Sequence, residues 1–285
     1  MTLTHQRRPE LAQVAGGSAL TALGGVVSGV AGFALLALVA GSRGPTAAGV
    51  FGIGVAVAAV VTQVGKLGCD TALVHFLPRW REAGDQAPDV RRALVGVFAV
   101  VGGLGVLSGV VTWVAAPALG RLLLAGEDPA LSTRAVQMVA VGLPPAALTA
   151  VVLAATRGCG VVRYLVVNDQ IAKPVLRLVL VGLVIGGGRG VDAALLAWSA
   201  VPWVLLPWAL RSLNRLVDLR PSARAAARPR AGRMAGLLPD GLARFAGLRL
   251  ASASVEIVGM QVGLLVVGAG LGVPEAGGFA RRPPL

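Results

Sequence analysis

Lys66 and Asp70 stand four residues apart in an otherwise apolar stretch, a spacing that puts an ammonium and a carboxylate on one helix face. Two roles are open to them. They could be a snorkelling pair at a membrane interface, or a cavity mouth at which Lys66 is the counter-ion of a phosphate. A denser polar group follows at Asn168, Asp169, Gln170, Lys173 and Arg177. Lys173 and Arg177 share a face by the same spacing, and like charges that close are tolerated beside an anion or in water. That face would meet either pyrophosphate or the headgroups of anionic lipid. Glu256, with Gln261 about a turn further on, is the most deeply placed acid. It would face a bundle or a water-filled cavity, pairing with a cation or binding a coupling proton.

Other chemistries find no residues to support them. Cys69 and Cys159 lack metal-like spacing and a histidine partner, so they read as small apolar fillers. The Gly-rich run at 186–190 has neither the strand nor the lysine of a phosphate loop. No Ser/His/Asp set, metal cluster or nucleotide motif occurs in the sequence, and we expect no enzyme, metal or cofactor. His75 reads as a headgroup contact at a helix end.

The elements that must position these groups are apolar runs of membrane-crossing length. With 55% hydrophobic and 14% charged residues and a mean hydropathy of +0.77, the chain has too little polar surface to solvate a soluble globule. Spans are predicted at 15–40, 47–76, 93–119 and 135–156, then a fifth that is polar in its first half and apolar over 176–185, then 191–210 and 248–273. A Gly-Ser-Arg-Gly-Pro turn at 41–45 divides the first two. The fold class expected is all-α integral membrane with about seven transmembrane helices. The divisions are a six-helix lobe over 1–210, a basic cytoplasmic connector over 211–245, and a further helix within 246–285.

The net charge of +13 could suggest a nucleic-acid binder, but the arginines are not interleaved with aromatics and lie between apolar spans. They read as topology signals and as attraction to membrane lipids, with no nucleic-acid partner. With the amino terminus inside, the inner loops hold Arg7 and Arg8, then Arg79, Arg81, Arg91 and Arg92, then Arg157 and Arg163, then the arginines of 211–244. The outer loops hold only Arg43, Arg121, Arg134 and Arg189. The asymmetry predicts a cytoplasmic amino terminus. Pro144-Pro145 would break the fourth span as a hinge or a static kink, and Lys173-Pro174 would loosen the fifth. Glycines 24, 25, 29 and 32, and 102, 103, 105 and 109, give spacings for close helix packing.

Gly44, Ala48, Gly49 and Phe51 are echoed by Gly272, Ala276, Gly277 and Phe279, as if a second unit began there. The segment 49–52, the run 67–78 (Leu-Gly-Cys-Asp-Thr-Ala-Leu-Val-His-Phe-Leu-Pro), Ala155-Thr156-Arg157-Gly158, Lys173-Pro174 and Arg177 resemble polysaccharide flippases of the multidrug/oligosaccharidyl-lipid/polysaccharide exporter superfamily. The resemblance implies two six-helix lobes around a central cavity, of which this chain would hold the first and one helix of the second. It implies alternating-access export of lipid-linked oligosaccharide across a bacterial inner membrane. The partners it implies are a polyprenyl-pyrophosphate sugar and polysaccharide polymerase or glycosyltransferases. Its substrate-binding candidates are Lys66, Asp70, Asn168, Asp169, Lys173 and Arg177. The alternatives are a cation-coupled drug antiporter of the same superfamily, and a membrane scaffold that transports nothing.

Overall fold

The computed structural model describes residues 7–82, 90–124 and 127–217, with side chains from Ser18 onward. These residues form helices and turns, with no strand among them. In order they are α1 (Arg7–Lys66), α2 (Cys69–Glu82), α3 (Val90–Leu123), α4 (Pro129–Ala140), α5 (Leu143–Gly158), the short α6 (Arg163–Leu165), a π-helical segment (Val166–Ala172), α7 (Lys173–Gly186) and α8 (Val191–Asn214). Four stretches are long and apolar enough to cross a membrane: Ser18–Lys66, Val90–Leu123, Pro129–Gly158 and Val191–Asn214. The predicted seventh span, the 246–285 region and all but the start of the 211–245 connector lie outside the described residues, as does the echo at 272–279.

Drawn straight, Ser18–Lys66 would be about 74 Å long, more than twice a hydrocarbon core. It is not straight. Gly44 has φ 86° and ψ 172°, outside helical space, and Pro45 follows it. Ser28 and Val55 line one cavity, although an unbroken helix would set them about 40 Å apart. The chain therefore folds back at Gly44, and the turn predicted over 41–45 narrows to this one residue. Gly44→Val should cost about 1–3 kcal/mol, because that backbone region is essentially closed to residues with a Cβ. Nothing lies within 4 Å of the position where its Cβ would be. Thermal unfolding in detergent would read the loss, and Gly41→Val, equally open around its Cβ but not in the left-handed region, should cost much less.

The second predicted span, 47–76, is not one helix. Leu67 (φ 50°) and Gly68 (φ 67°) interrupt it just after Lys66, and a separate helix, α2, begins at Cys69. A change of composition explains the break. Residues 45–66 are nearly all apolar or small, whereas α2 carries Asp70, His75, Arg79, Arg81 and Glu82 and buries only one side, through Leu73, Leu77 and Trp80. The fourth span is likewise two helices. α4 starts at an N-cap, Asp128, whose carboxylate accepts the Ala130 N–H at 3.2 Å, and ends at Val141-Gly142 before Pro144-Pro145 opens α5.

Small residues let the bundle close. On α3, a Cβ at Gly105 would come within 3.0 Å of Pro144 Cα, and one at Gly109 within 3.2 Å of the Ala140 carbonyl, so both are close approaches to α4 and α5. Gly103 faces open space, as do Gly25, Gly29 and Gly32 in α1. Only Gly24 of that group is a contact, against Val166 and Gln170 of the π segment. Buried side chains form two clusters. One joins α1, α4, the start of α5, α7 and α8 around Phe51, Ile53, Leu143 and Leu195. The other joins α2, α3, α5 and α8 around Leu73, Leu94 and Leu153. Outside them Leu23, Val30 and Phe33 of α1, Val106, Leu107 and Val114 of α3, and Trp203 and Val204 of α8 are exposed, a surface suited to hydrocarbon.

Candidate functional site

Residues 163–186 run as one helical stretch widened in the middle. Pro174 has no N–H and its ring crowds the carbonyl four residues back, and the chain answers with π-type bonding, Lys173 N–H donating to the Asn168 carbonyl. This places Asp169, Lys173 and Arg177 along the inward side. Lys173 Nζ donates to Asp169 Oδ1 at 2.8 Å, with both side chains partly exposed to a cavity.

That cavity, about 330 Å³, is where the two candidate groups meet. Lys66, Thr62 and Gln63 line it from the second arm of α1, Asp169, Lys173 and Arg177 from the π segment and α7, Gly142 and Leu143 from the α4–α5 junction, and Trp198 and Pro202 from α8. Lys66 is paired across the Leu67-Gly68 break, its Nζ 2.9 Å from Asp70 Oδ2. The other oxygen of Asp70 accepts the Thr71 N–H at 2.8 Å. Asp70 thus holds Lys66 in place and is not itself a lining residue.

Arg177 is held differently. Its guanidinium lies 3.6 Å from the centroid of the Trp198 ring, a cation–π stack, and its buried Nε has no hydrogen-bond partner among the described residues. Stacking on a ring face leaves the in-plane N–H donors pointing outward, the fork that suits a phosphate or carboxylate. Lys66, Lys173 and Arg177 against Asp70 and Asp169 leave one net positive charge. That one positive charge is chemically matched to an anionic group.

Asn168 does not belong to this lining. It is buried, with Nδ2 3.5 Å from the Leu205 carbonyl of α8 and Oδ1 unpartnered, so it sits between helices. Glu256 and Gln261 lie outside the described residues. The described residues contain no group of three or more His, Cys, Asp or Glu placed to hold a metal. Both cysteines are free. Burial raises the Cys159 thiol above its ordinary value, with the Arg81 guanidinium opposing that rise. Trp198 and Gly142 went unnoticed in the sequence, since nothing local marks one tryptophan among five or one glycine among 40. Gln63 could have been found, one turn before Lys66 on the same face.

The fold and site define an all-helical bundle with elements of membrane-crossing length around a basic internal cavity. No family model, curated protein or solved structure matches the chain.

Proposed function

We propose that this protein is a transmembrane flippase or exporter of lipid-linked oligosaccharide or polysaccharide precursors, working by alternating access in a bacterial inner membrane with its amino terminus in the cytoplasm. The observation that carries the reading is the convergence of Lys66, Lys173 and Arg177 on one cavity, with Arg177 stacked on Trp198 and free to donate. The phosphates of a lipid carrier supply the matching charge, and Thr62 and Gln63 supply hydrogen bonds a sugar can use. Residues 163–186 act as a fifth span, making six up to Asn214, with α2 lying at the inner face. Breaks at Leu67-Gly68, Val141-Gly142 and the π segment all border the cavity or its lining helices, where a rocking bundle needs compliant backbone.

The rival antiporter reading would draw on Asp169, the acid that lines the cavity, but Lys173 already neutralises it at 2.8 Å. A translocation assay tests the proposal. In proteoliposomes holding a fluorescent prenyl-diphosphate sugar, the full chain should speed loss of the outward-facing probe, and Lys173→Gln/Arg177→Gln should slow it at least about tenfold. Equal rates in the two, or no transport by the unaltered chain, would overturn the reading and leave a membrane scaffold.

A further inference from the structure

Outside the basic cavity, the start of α6 and the C-cap of α8 come together at the chain's single tyrosine, Tyr164. Its ring packs against the buried cluster around Leu73, Leu94 and Leu153, which fixes the phenol and leaves its hydroxyl at the surface. Arg163 donates to that hydroxyl at 3.2 Å, and its guanidinium lies 5.0 Å from the centroid of the ring. The guanidinium of Arg215, at the end of α8, acts on the same hydroxyl. A further arginine, Arg81 of α2, donates to the Cys159 carbonyl at 3.3 Å, where α5 leads into α6.

The charge of this cluster is not balanced. The two ion pairs among the described residues are Lys66–Asp70 and Asp169–Lys173, so neither Arg163 nor Arg215 meets a carboxylate there. A phenol is neutral and cannot offset two guanidiniums. Once its oxygen accepts from arginine, its own O–H remains to donate, and each guanidinium keeps further N–H donors. Donors from three residues thus surround one point at the surface, an arrangement that suits a phosphate oxyanion. Its place on the helix points to the carrier of that phosphate. Residues 163–186 run on from Arg163 as one helical stretch, along which Val167, Val175, Val179 and Leu183 are exposed. From Arg163 to Leu183 is about 30 Å, the thickness of a hydrocarbon core. Arg163 and Tyr164 therefore stand where that apolar stretch meets the headgroup layer.

We propose that Arg163, Tyr164 and Arg215 form a site for the headgroup phosphate of an anionic membrane lipid. The site shares no residue with the lining of the basic cavity and does not depend on what that cavity carries. A lipid held there ties the start of α6 to the end of α8, and is a resident ligand, not cargo.

Native mass spectrometry of the full chain in neutral detergent, titrated with phosphatidylglycerol, phosphatidylcholine or soluble glycerol phosphate, tests this. Phosphatidylglycerol should bind at least about tenfold more tightly than either of the others, since phosphatidylcholine carries its own cation and glycerol phosphate has no chains to lie on the apolar stretch. Arg163→Gln/Arg215→Gln should weaken phosphatidylglycerol binding at least about tenfold. Tyr164→Phe, which removes one hydroxyl and keeps both charges, should weaken it about three- to tenfold. Arg121→Gln/Arg134→Gln removes the same charge from two exposed arginines of α3 and α4 and should change nothing. Equal losses in the two double variants would overturn the site, because net charge alone would then draw the lipid. Unchanged binding in Tyr164→Phe would overturn it too, and decides the matter alone if the first double variant does not fold. Loss of phosphatidylglycerol in Lys173→Gln/Arg177→Gln would place the lipid in the basic cavity instead. Equal binding of phosphatidylcholine would refute the anionic headgroup, and equal binding of glycerol phosphate would refute the lipid.

Discussion

Arg177→Gln should weaken binding of inorganic diphosphate by about 10- to 100-fold, the loss of one charge-assisted, forked hydrogen-bond donor to an oxyanion. Two features of the site set this expectation above that for the other cations. Lys66 and Lys173 each have a carboxylate oxygen within 3 Å and must share their charge, whereas Arg177 leans on the face of Trp198 and has an unpartnered buried Nε. A buried donor without an acceptor is costly, and a ligand oxygen that satisfies it recovers that cost on binding. Arg177→Lys should recover little of the loss, because an ammonium keeps the charge but neither the planar stack nor the fork. Isothermal titration reads the affinity. Thermal unfolding of the same variants separates it from stability, which should fall by only about 0.5–2 kcal/mol from the lost cation–π contact. Affinity kept by Arg177→Gln would remove Arg177 from the site.

Gly142→Val should be the most damaging single packing change in the described bundle. A Cβ at Gly142 would stand 2.7 Å from the Ser199 carbonyl oxygen, 2.9 Å from its Cβ and 3.0 Å from its Cα. The obstacle is backbone, which cannot step aside as a rotamer would. The φ of Gly142 is −84°, open to any residue, so contact and not conformation demands glycine there. The α4–α5 junction and α8 would have to separate, at a cost of about 1–3 kcal/mol or more. Ser199 follows Trp198, so the separation should also shift the indole from beneath Arg177. A fall in unfolding temperature together with weaker diphosphate binding is the expected pair of results. Gly103→Val, with nothing within 4 Å of its Cβ, should produce neither. Retained affinity in Gly142→Val would show that the stack does not depend on this helix contact.

Much of this architecture follows from local pattern. Apolar runs with basic ends mark where helices lie, and spacings of four single out Lys66 with Asp70 and Asp169 with Lys173 and Arg177, pairs that the structure keeps although a turn separates the first and a π segment carries Asp169. Pro174 signals the loosened fifth helix, and Pro144-Pro145 the division of the fourth. The break at Leu67-Gly68 was not legible, since the first polar residues after it, Asp70 and His75, are interspersed with apolar ones as far as Phe76.

What the sequence by itself determined is therefore a set of lipid-compatible helices and the charged groups each one carries. Only the tertiary structure decided that Lys66 shares a cavity with Lys173 and Arg177, and that Trp198 underlies the arginine. The reason is physical. Periodicity within a helix is imposed by its own hydrogen bonds and can be read along the chain. Which of several nearly equivalent apolar faces meet is set by close fits such as Gly24 on the π segment and Gly142 on Ser199. Those fits exist only between residues far apart in sequence.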